Sequence, residues 1–480
     1  MSNTINNHTM QFPYRYIARI IVEAETPLAV GSATMLEDQD SPVAKDFNNL
    51  PYIPGTAIAG WLRHKFDNTG IIEYFGDDPG DNNSQTKGSN LITSDALLMN
   101  IDNKVFQQVA DIQNDNFLKR FLDLPIRQHV AIDIKGTAKD GSLFDSEVVY
   151  KGSRFKFEIS LELPQEDDTA WGEILQAFNS DDFYIGGGQF DGYGKLKVIE
   201  IKEKKFDLNT QLDDYLNITV DLNESIEDAQ NFEFEKEITR TYEYIEHKLT
   251  GVNSFHHFGA GYGDNEVDHI NYKEYVVDYS DNNMPFKSKF VIPGTSIKGA
   301  LAHRVAYYYN LENGKTVEEL INLPAKLPED LEGLKTIKEQ LEQLNLKEKL
   351  ENAAYENNEA VKSLFGTAKD SKNNKGASGE VIIHDIWIDG ETKETKETKE
   401  HIFYHNKIDR FTGGTVDGAL YSEKVLNIDE VTLRIAVKKD NPNKKYLEMA
   451  ISDLLEGRLP VGGKVNKGHG IFNELKNTES

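Results

Sequence analysis

The octapeptide IPGTAIAG at residues 53–60 returns as IPGTSIKG at residues 292–299. In both places the segment continues with a leucine and, two residues later, a histidine. A Pro-Gly turn followed by such residues predicts that a helix begins there. Because the segment recurs together with its flanking residues, the chain is expected to contain two copies of one structural unit.

Four further matches occur in the same order in both halves of the chain. They are a Gly-to-Asp loop at 31–40 and 259–268, a Phe-Gly tripeptide at 74–76 and 364–366, a His-x-x-Ile-Asp segment at 129–133 and 405–409, and a glycine-rich loop at 185–194 and 461–470. One glycine match would be weak evidence. Five matches in one order favour a tandem duplication.

The periodicity of the apolar residues predicts the same succession of elements in each half. Strand-like patterns occur at 16–25, 147–163 and 195–202, and again at 217–222, 431–437 and 471–475. Helical patterns follow each Pro-Gly turn and precede each closing glycine loop. Each half therefore has the predicted element order β-α-β-β-α-β. This order predicts an α+β protein of two tandem ferredoxin-like (RRM-like) domains.

We place the first domain at residues 11–202, a polar connector at 203–214 and the second domain at 215–476. The second domain carries a Leu/Glu/Lys-rich stretch at about 311–361, which predicts an inserted helical pair. It also carries a Glu/Thr/Lys-rich tract at 391–400, which is typical of a solvated loop.

Composition narrows the classes of function. The chain has 480 residues, no cysteine and no apolar run of membrane-spanning length, and its first residues do not resemble a secretory signal. We therefore expect a cytoplasmic protein without membrane insertion, disulfides or thiolate-bound metal. The formal charge of −27 argues against unassisted binding of free nucleic acid, but it leaves room for a local basic groove.

The repeated helix starts and glycine loops predict binding of phosphate groups. A helix N-terminus presents unpaired N–H groups, and glycines let a backbone approach a ligand closely. Two such features in each of two domains favour a polynucleotide over a single nucleotide, although glycines that only serve tight turns remain the alternative. The chain has no P-loop, dinucleotide-binding or His-Glu-x-x-His motif.

The strings DSPVAKD at 40–46 and PYIPGTAIAG at 51–60 resemble the RAMP superfamily of CRISPR–Cas proteins, and more narrowly the backbone subunit of type III effector complexes. IDRFTG at 408–413 and LYSE at 420–423 are similar to a further segment of that family, and residues 132–147 are a looser copy of it. Two such domains in one chain resemble the double backbone proteins of type III-D-like effectors. Each copy keeps only one of the two basic residues that the family carries after the Pro-Gly turn, Arg63 in the first and Lys298 in the second.

The resemblance implies three kinds of partner: a CRISPR guide RNA, a target single-stranded RNA, and other type III subunits, both further backbone subunits and the large subunit. Hairpins at 132–148 and 408–425 would wedge into the guide–target duplex. The residues implied in RNA binding are glycines, helix-start residues and basic side chains of these motifs: Gly55, Thr56, Arg63, Arg127, Lys135, Gly187, Gly188, Gly192, Gly294, Thr295, Ser296, Lys298, Arg410, Gly463, Lys464, Lys467 and His469.

The resemblance also implies that loop aspartates cut the target RNA. The family motif gives Asp40 in the first domain, and the repeat spacing gives Asp268 in the second. Each would bind a divalent metal ion, Mg²⁺, or take a proton during attack of the adjacent 2′-hydroxyl, while Lys45 and Lys273 would stabilise the phosphorane. One alternative is a structural backbone that holds guide RNA without cutting. Another is a metabolic enzyme of the same fold, with a deep pocket and no bound RNA.

Overall fold

The computed structural model describes residues 11–31, 41–66, 74–76, 88–133, 138–235, 237–259, 261–315, 352–367, 376–389 and 399–475. Four predictions fall outside the described residues. They are the catalytic assignment of Asp40, the RNA-binding assignment of Lys135, most of the helical insertion at 311–361 and most of the tract at 391–400.

The first domain forms an antiparallel sheet with two helices of nine and ten residues. Its elements are β1 (Tyr14–Ala24), β2 (Tyr52–Ile53), α1 (Gly55–Arg63), β3 (Leu91–Thr93), β4 (Ala96–Leu98), β5 (Ile126–Ile132), β6 (Ala138–Glu147), β7 (Arg154–Leu163), α2 (Asp168–Ala177), β8 (Leu196–Asp207), α3 (Leu212–Leu216) and β9 (Gln230–Asn231). The sheet order is β2-β4-β7-β1-β8-β9, and β3 also pairs with β7. β1 has a nearly continuous run of buried residues, whereas β7 alternates between buried and half-buried positions, as a strand with one face on the core does. β5 and β6 form a separate hairpin.

The second domain repeats this arrangement around β10. Its elements are β10 (Tyr242–Thr250), β11 (Phe255–His256), β12 (Lys273–Val277), β13 (Phe286–Ile292), α4 (Gly294–Glu312), α5 (Glu359–Phe365), β14 (Gly366–Thr367), β15 (Ala377–Ser378), β16 (Val381–Ile383), β17 (Ile386–Asp389), β18 (Glu400–His405), β19 (Tyr421–Asn427), β20 (Val431–Lys438), α6 (Lys444–Leu455) and β21 (Asn473–Glu474). The main sheet has the order β16-β20-β10-β21, and β18 and β19 form the hairpin that corresponds to β5 and β6. The α+β class expected from the sequence is confirmed.

The second repeat begins later than the sequence predicts. Residues 217–222 are not a strand, and the strand that corresponds to β1 is β10. The predicted connector at 203–214 partly continues β8, and the chain after it packs on the first domain, where β9 pairs with β8. The guanidinium of Arg19 donates to the carbonyls of Thr219, Asp221 and Glu224. These bonds hold 217–222 as a loop, and its alternating apolar residues gave a false strand signal.

The two domains share part of one apolar core. β12 and β13 form an arm whose Tyr279 and Phe286 belong to the cluster that contains Phe117 and Phe121 of the first domain. The rings of Phe286 and Phe117 are 5.2 Å apart, and the Tyr279 hydroxyl donates to the carbonyl of Met99 at 2.7 Å. The arm therefore fixes the second domain against the first. Within the described residues, no helix is long and apolar enough to cross a membrane.

Candidate nucleic-acid interface

An internal carboxylate occupies the start of the repeated helix in both domains. The amide of Gly55 donates to Asp95 Oδ1 at 2.8 Å, and the amide of Gly294 donates to Asp385 Oδ1 at 2.8 Å. A β-carbon at Gly55 or at Gly294 would clash with a carbonyl oxygen of the neighbouring strand. These two glycines therefore serve packing, and their amides are already satisfied, which corrects the expectation that they face phosphate.

The other predicted residues at the helix starts differ in accessibility. Thr56 and Ser296 are exposed, and Thr295 is half-buried. The Ser296 amide donates to the carbonyl of the preceding proline at 3.0 Å. Arg63 lies half-buried in the last turn of α1. Thr56 and Ser296 are therefore the most accessible of these residues.

The closing glycine loop of the first domain lies against the second domain. A β-carbon at Gly192 would clash with the carbonyl oxygen of Ile383 in β16. Lys298 on α4 pairs with Asp191 of this loop at 2.9 Å. Gly187 and Gly188 stay exposed, whereas Gly192 is buried. Gly192 is therefore buried in the joint between the domains, and Asp191 neutralises Lys298 there. The sequence predicts both residues in the RNA-binding groove.

The corresponding loop of the second domain is open and basic. A β-carbon at Gly468 would meet no atom within 4 Å, and Lys464 adopts a left-handed conformation at φ 60°. The ammonium groups of Lys464 and Lys467 lie 4.8 and 5.0 Å from the centre of the Tyr421 ring. That ring in turn stacks on His405 at 4.8 Å. Lys464 Nζ also lies 3.9 Å from Glu423 Oε2, and Lys467 donates a hydrogen bond to the Tyr421 hydroxyl. The two cations beside this stacked aromatic pair form a surface suited to a phosphate and a base.

Two further predicted residues of this second loop, Gly463 and His469, are less accessible than Lys467. Gly463 is half-buried beside His257, and a β-carbon there would lie 3.1 Å from that ring. His469 is buried at 7 % exposure, and burial lowers the pKa of its imidazole. His469 therefore supports the loop from below and does not face a ligand.

Stacked histidine–aromatic pairs recur on both hairpins. His129 stacks on Phe144 at 4.8 Å, as His405 does on Tyr421. His129 Nε2 lies 3.0 Å from the hydroxyl of Ser146, whereas His405 Nε2 lies 2.6 Å from a carboxylate oxygen of Glu423. Ser146 is thus the structural counterpart of Glu423. The sequence motif instead aligned Glu147 with Glu423, so that alignment is offset by one residue.

The tip of the second hairpin is exposed and carries an aromatic ring. Asp409 accepts hydrogen bonds from the amides of Phe411 and Thr412, and these bonds order the turn. Phe411 is fully exposed at 100 %, and the neighbouring Arg410 is exposed as well. The tip of this hairpin therefore exposes an aromatic side chain and a cation that a bound ligand can contact.

Arg127 is buried in the domain joint, which corrects its assignment to the groove. Its guanidinium pairs with Glu274 at 2.8 Å and with Asp385 at 2.7 Å. The residue is 4 % exposed and lies 5.2 Å from the centre of the Tyr193 ring. The sequence gives no sign of this pairing, because Arg127 and Asp385 are 258 positions apart.

The loop that carries Asp268 is the best defined candidate for catalysis. Asp268 is exposed, and its Oδ2 accepts from the amide of Ser422 at 2.8 Å and from the Ser422 hydroxyl at 3.1 Å. These bonds hold the pKa of the carboxyl below its usual range. Oδ1 accepts no hydrogen bond from the described part of the chain. Neighbouring Asp264 and Glu266 pair with Lys424.

The fit of this loop to a divalent metal ion is partial. One free carboxylate oxygen suits Mg²⁺, which keeps most of its water and often takes a single protein carboxylate together with phosphate oxygens. No group of three potential ligands forms among the described residues. Lys273, predicted to stabilise the phosphorane, pairs with Glu400, and Lys45 pairs with Glu147. Those two lysines are therefore engaged within the protein.

Comparisons with known proteins agree with the repeat. The family described as the RAMP superfamily matches residues 21–197 and 282–473, one stretch in each half. A curated relative, the CRISPR system Cms endoribonuclease Csm3 of Methanocaldococcus jannaschii, is 28 % identical over 210 residues. That alignment covers 38 % of this chain and 77 % of the relative. The relative is thus similar to part of this chain.

Proposed function

The chain belongs to the RAMP superfamily, and we propose that its two domains form a guide-RNA-binding backbone segment of a type III CRISPR effector complex that cuts bound target RNA at its loop aspartates. In this proposal the partners are a guide RNA, a target RNA and other subunits of the complex. The order of the strands supports a ferredoxin-like layout in both domains. β1 lies between β7 and β8 as β10 lies between β20 and β21.

The observation that carries the proposal is the open basic loop beside the exposed hairpin of the second domain. Lys464 and Lys467 lie beside the Tyr421–His405 stack, and Phe411 is exposed on the same hairpin. Cations that neutralise phosphate beside aromatic rings that stack on bases are the usual means of binding single-stranded RNA. A small-molecule enzyme would not need these groups on an open surface.

Strong overall acidity is compatible with this interface. The formal charge is −27, yet many acids in the joint and on the hairpins are paired within the chain, as Asp191 is with Lys298. Nucleic-acid binding depends on the local cations that meet phosphate and not on the net charge. The second domain, whose closing loop is open, would supply most of the phosphate contacts.

For cleavage, Asp268 would act on the target strand. Its bonds to Ser422 keep the carboxylate ionised and fix the position of Oδ2. A bound Mg²⁺, held by Asp40 in one domain and Asp268 in the other, would neutralise charge that develops on the phosphate. Oδ1 can also accept the proton of the attacking 2′-hydroxyl.

Cleavage by the complex assembled with guide and labelled target RNA tests this assignment. Asp268→Asn should lower the rate at one site by about 100-fold or more, and Asp40→Asn should do so at the other. Glu266→Gln, in the same loop, is the matched control, because its exposed carboxylate pairs with Lys424. Guide binding should be equal in all three variants, and chelation of divalent ions should stop cleavage in the unmodified complex.

A backbone without nuclease activity is the second candidate. It is favoured by the pairing of Lys45 with Glu147 and of Lys273 with Glu400, because both lysines that the sequence assigns to the phosphorane are engaged with acids. Unchanged cutting in the Asp40→Asn, Asp268→Asn double variant would refute the catalytic assignment of these aspartates, and guide binding without any cutting by the unmodified complex would support this second candidate. The absence of co-purified RNA from cells that carry a CRISPR array would contradict both candidates.

A further inference from the structure

A buried carboxylate holds the histidine at the base of the second hairpin. His405 Nε2 lies 2.6 Å from Glu423 Oε1, and the Glu423 side chain has no solvent exposure. Because an ionised carboxylate only accepts hydrogen bonds, Nε2 carries the proton and Nδ1 keeps a lone pair. The acid therefore fixes both the orientation of the imidazole ring and its tautomer.

The free nitrogen of this ring faces the basic closing loop. Lys467 Nζ lies 3.5 Å from His405 Nδ1, and Lys467 is exposed. Lys464 Nζ lies 3.9 Å from the second oxygen of Glu423. The side chains of His405 and Lys464 keep exposures of 23 % and 28 %, so a strand that lies on the loop can contact them. A proton acceptor and two ammonium groups therefore meet at one open surface.

The first domain has the corresponding histidine with different partners. His129 Nε2 lies 3.0 Å from the hydroxyl of Ser146 and 3.3 Å from that of Tyr193, and burial lowers the pKa of its imidazole. The hairpin registers and the closing loops align four positions around the two histidines: Phe144, Ser146, Gly188 and Asp191 with Tyr421, Glu423, Lys464 and Lys467. The carboxylate, the phenol and both ammonium groups thus accompany the histidine of the second domain alone.

Lys464 occupies a backbone position that favours glycine. Its φ is 60°, and Gly188 has a φ of 69° at the corresponding place. A left-handed conformation costs free energy for a residue with a β-carbon, and such residues often lie at functional sites. This conformation brings an ammonium group to within 4.8 Å of the Tyr421 ring centre, beside the histidine. The strained position therefore serves to place a cation where a phosphate can bind.

We propose that the second domain contains a ribonuclease centre distinct from the aspartate loops, in which His405 is the general base and Lys464 and Lys467 bind the scissile phosphate of single-stranded RNA. Glu423 is a positioning residue that acts through His405. This inference rests on the proposed binding of RNA to the closing loop. It requires neither Asp268 nor a divalent ion, because the imidazole and the ammonium groups supply proton transfer and positive charge.

The reaction at this centre is a transesterification within the RNA strand. His405 Nδ1 takes the proton of a 2′-hydroxyl, the 2′-oxygen forms a bond to phosphorus, and the bond from phosphorus to the 5′-oxygen of the next nucleotide breaks. Lys467 gives a proton to that 5′-oxygen and regains one from Nδ1, 3.5 Å away. Lys464 neutralises charge on the phosphate oxygens. The products are a 2′,3′-cyclic phosphate and a 5′-hydroxyl, with no external reactant.

Incubation of the full chain with a labelled, unstructured RNA oligonucleotide in excess EDTA tests the proposal. The unmodified protein should cut the RNA, leave cyclic phosphate ends that mass spectrometry identifies, and spare the 2′-deoxy oligonucleotide. His405→Gln should lower the rate constant at saturating RNA by about 100-fold or more. His401→Gln, exposed on the same strand, is the matched control and should cut at the unmodified rate.

Two further variants separate catalysis from folding. Glu423→Gln should lower kcat by about tenfold and leave KM unchanged, because the amide still accepts from Nε2 but cannot stabilise the imidazolium by charge. Lys464→Gln should lower kcat by about 100-fold, and equal melting temperatures would show that the variants fold. RNA that binds the full chain but stays intact in EDTA overturns this inference and leaves the proposed RNA binding standing, whereas RNA that does not bind contradicts both. Equal cutting by His405→Gln would overturn the inference as well.

Discussion

Replacement of Arg127 by methionine should destabilise the joint between the domains. Methionine has a similar length and no charge, so Glu274 and Asp385 lose their cation in a site from which water is excluded. Removing one member of a buried ion pair typically costs about 3–5 kcal/mol, because the charge left behind is uncompensated. Asp385 retains the bond from the Gly294 amide and Glu274 retains the bond from the Tyr272 hydroxyl, so the cost comes from the lost ion pairs.

The cost should depend on pH in a definite direction. Burial already raises the pKa of Glu274, and loss of Arg127 should raise it further. The folded variant is then penalised at neutral pH, where unfolded Glu274 is ionised. It should recover stability as the pH falls through the folded pKa, since the protonated acid needs no cation. The gap between variant and unmodified protein should therefore narrow in mildly acidic buffer.

Urea unfolding of the full chain at neutral and mildly acidic pH measures both effects. The matched control is Lys139→Met, which removes an exposed contact between the same domains. Lys139 and Glu356 are 3.3 Å apart with side chains about half exposed, so the loss should stay below about 1 kcal/mol. If Arg127→Met costs no more than Lys139→Met, or if its cost is independent of pH, the account of the joint is wrong.

Two further outcomes follow from the second domain. Lys464→Gln or Lys467→Gln should each reduce the slope of log affinity for single-stranded RNA against log salt by about 0.7. Lys202→Gln, in β8 of the first domain, should leave that slope unchanged, and filter binding over a salt series measures both. His256 is buried and burial lowers its pKa from 6.5 to about 4, so stability should be lost as the pH falls from 6.5 towards 4, where the unfolded state binds the proton first. His256→Leu should flatten that part of the stability profile in acid denaturation, and an unchanged profile would contradict this origin.

The periodicity and the repeats of the sequence determined the structural class of the protein and its organisation into two domains. Pro-Gly turns at 53–60 and 292–299 start helices, and the glycines of the closing loops adopt left-handed conformations, as at Gly188 and Gly468. Such features depend on the backbone preferences of a few neighbouring residues, which is why they can be read from the sequence. The family assignment came from the same local motifs.

Only the tertiary structure decided which of these motifs remain open to a ligand. Asp95 is 40 positions from Gly55, and Asp385 is 258 positions from Arg127, so neither pairing leaves a local pattern. The repeat did indicate the two aspartates, because an aspartate follows the strand at 91–93 and the strand at 381–383 at the same distance. A charged side chain can contact RNA or pair with another part of the protein, and the packing of the domains decides between the two. That packing depends on contacts between segments that lie far apart in the chain.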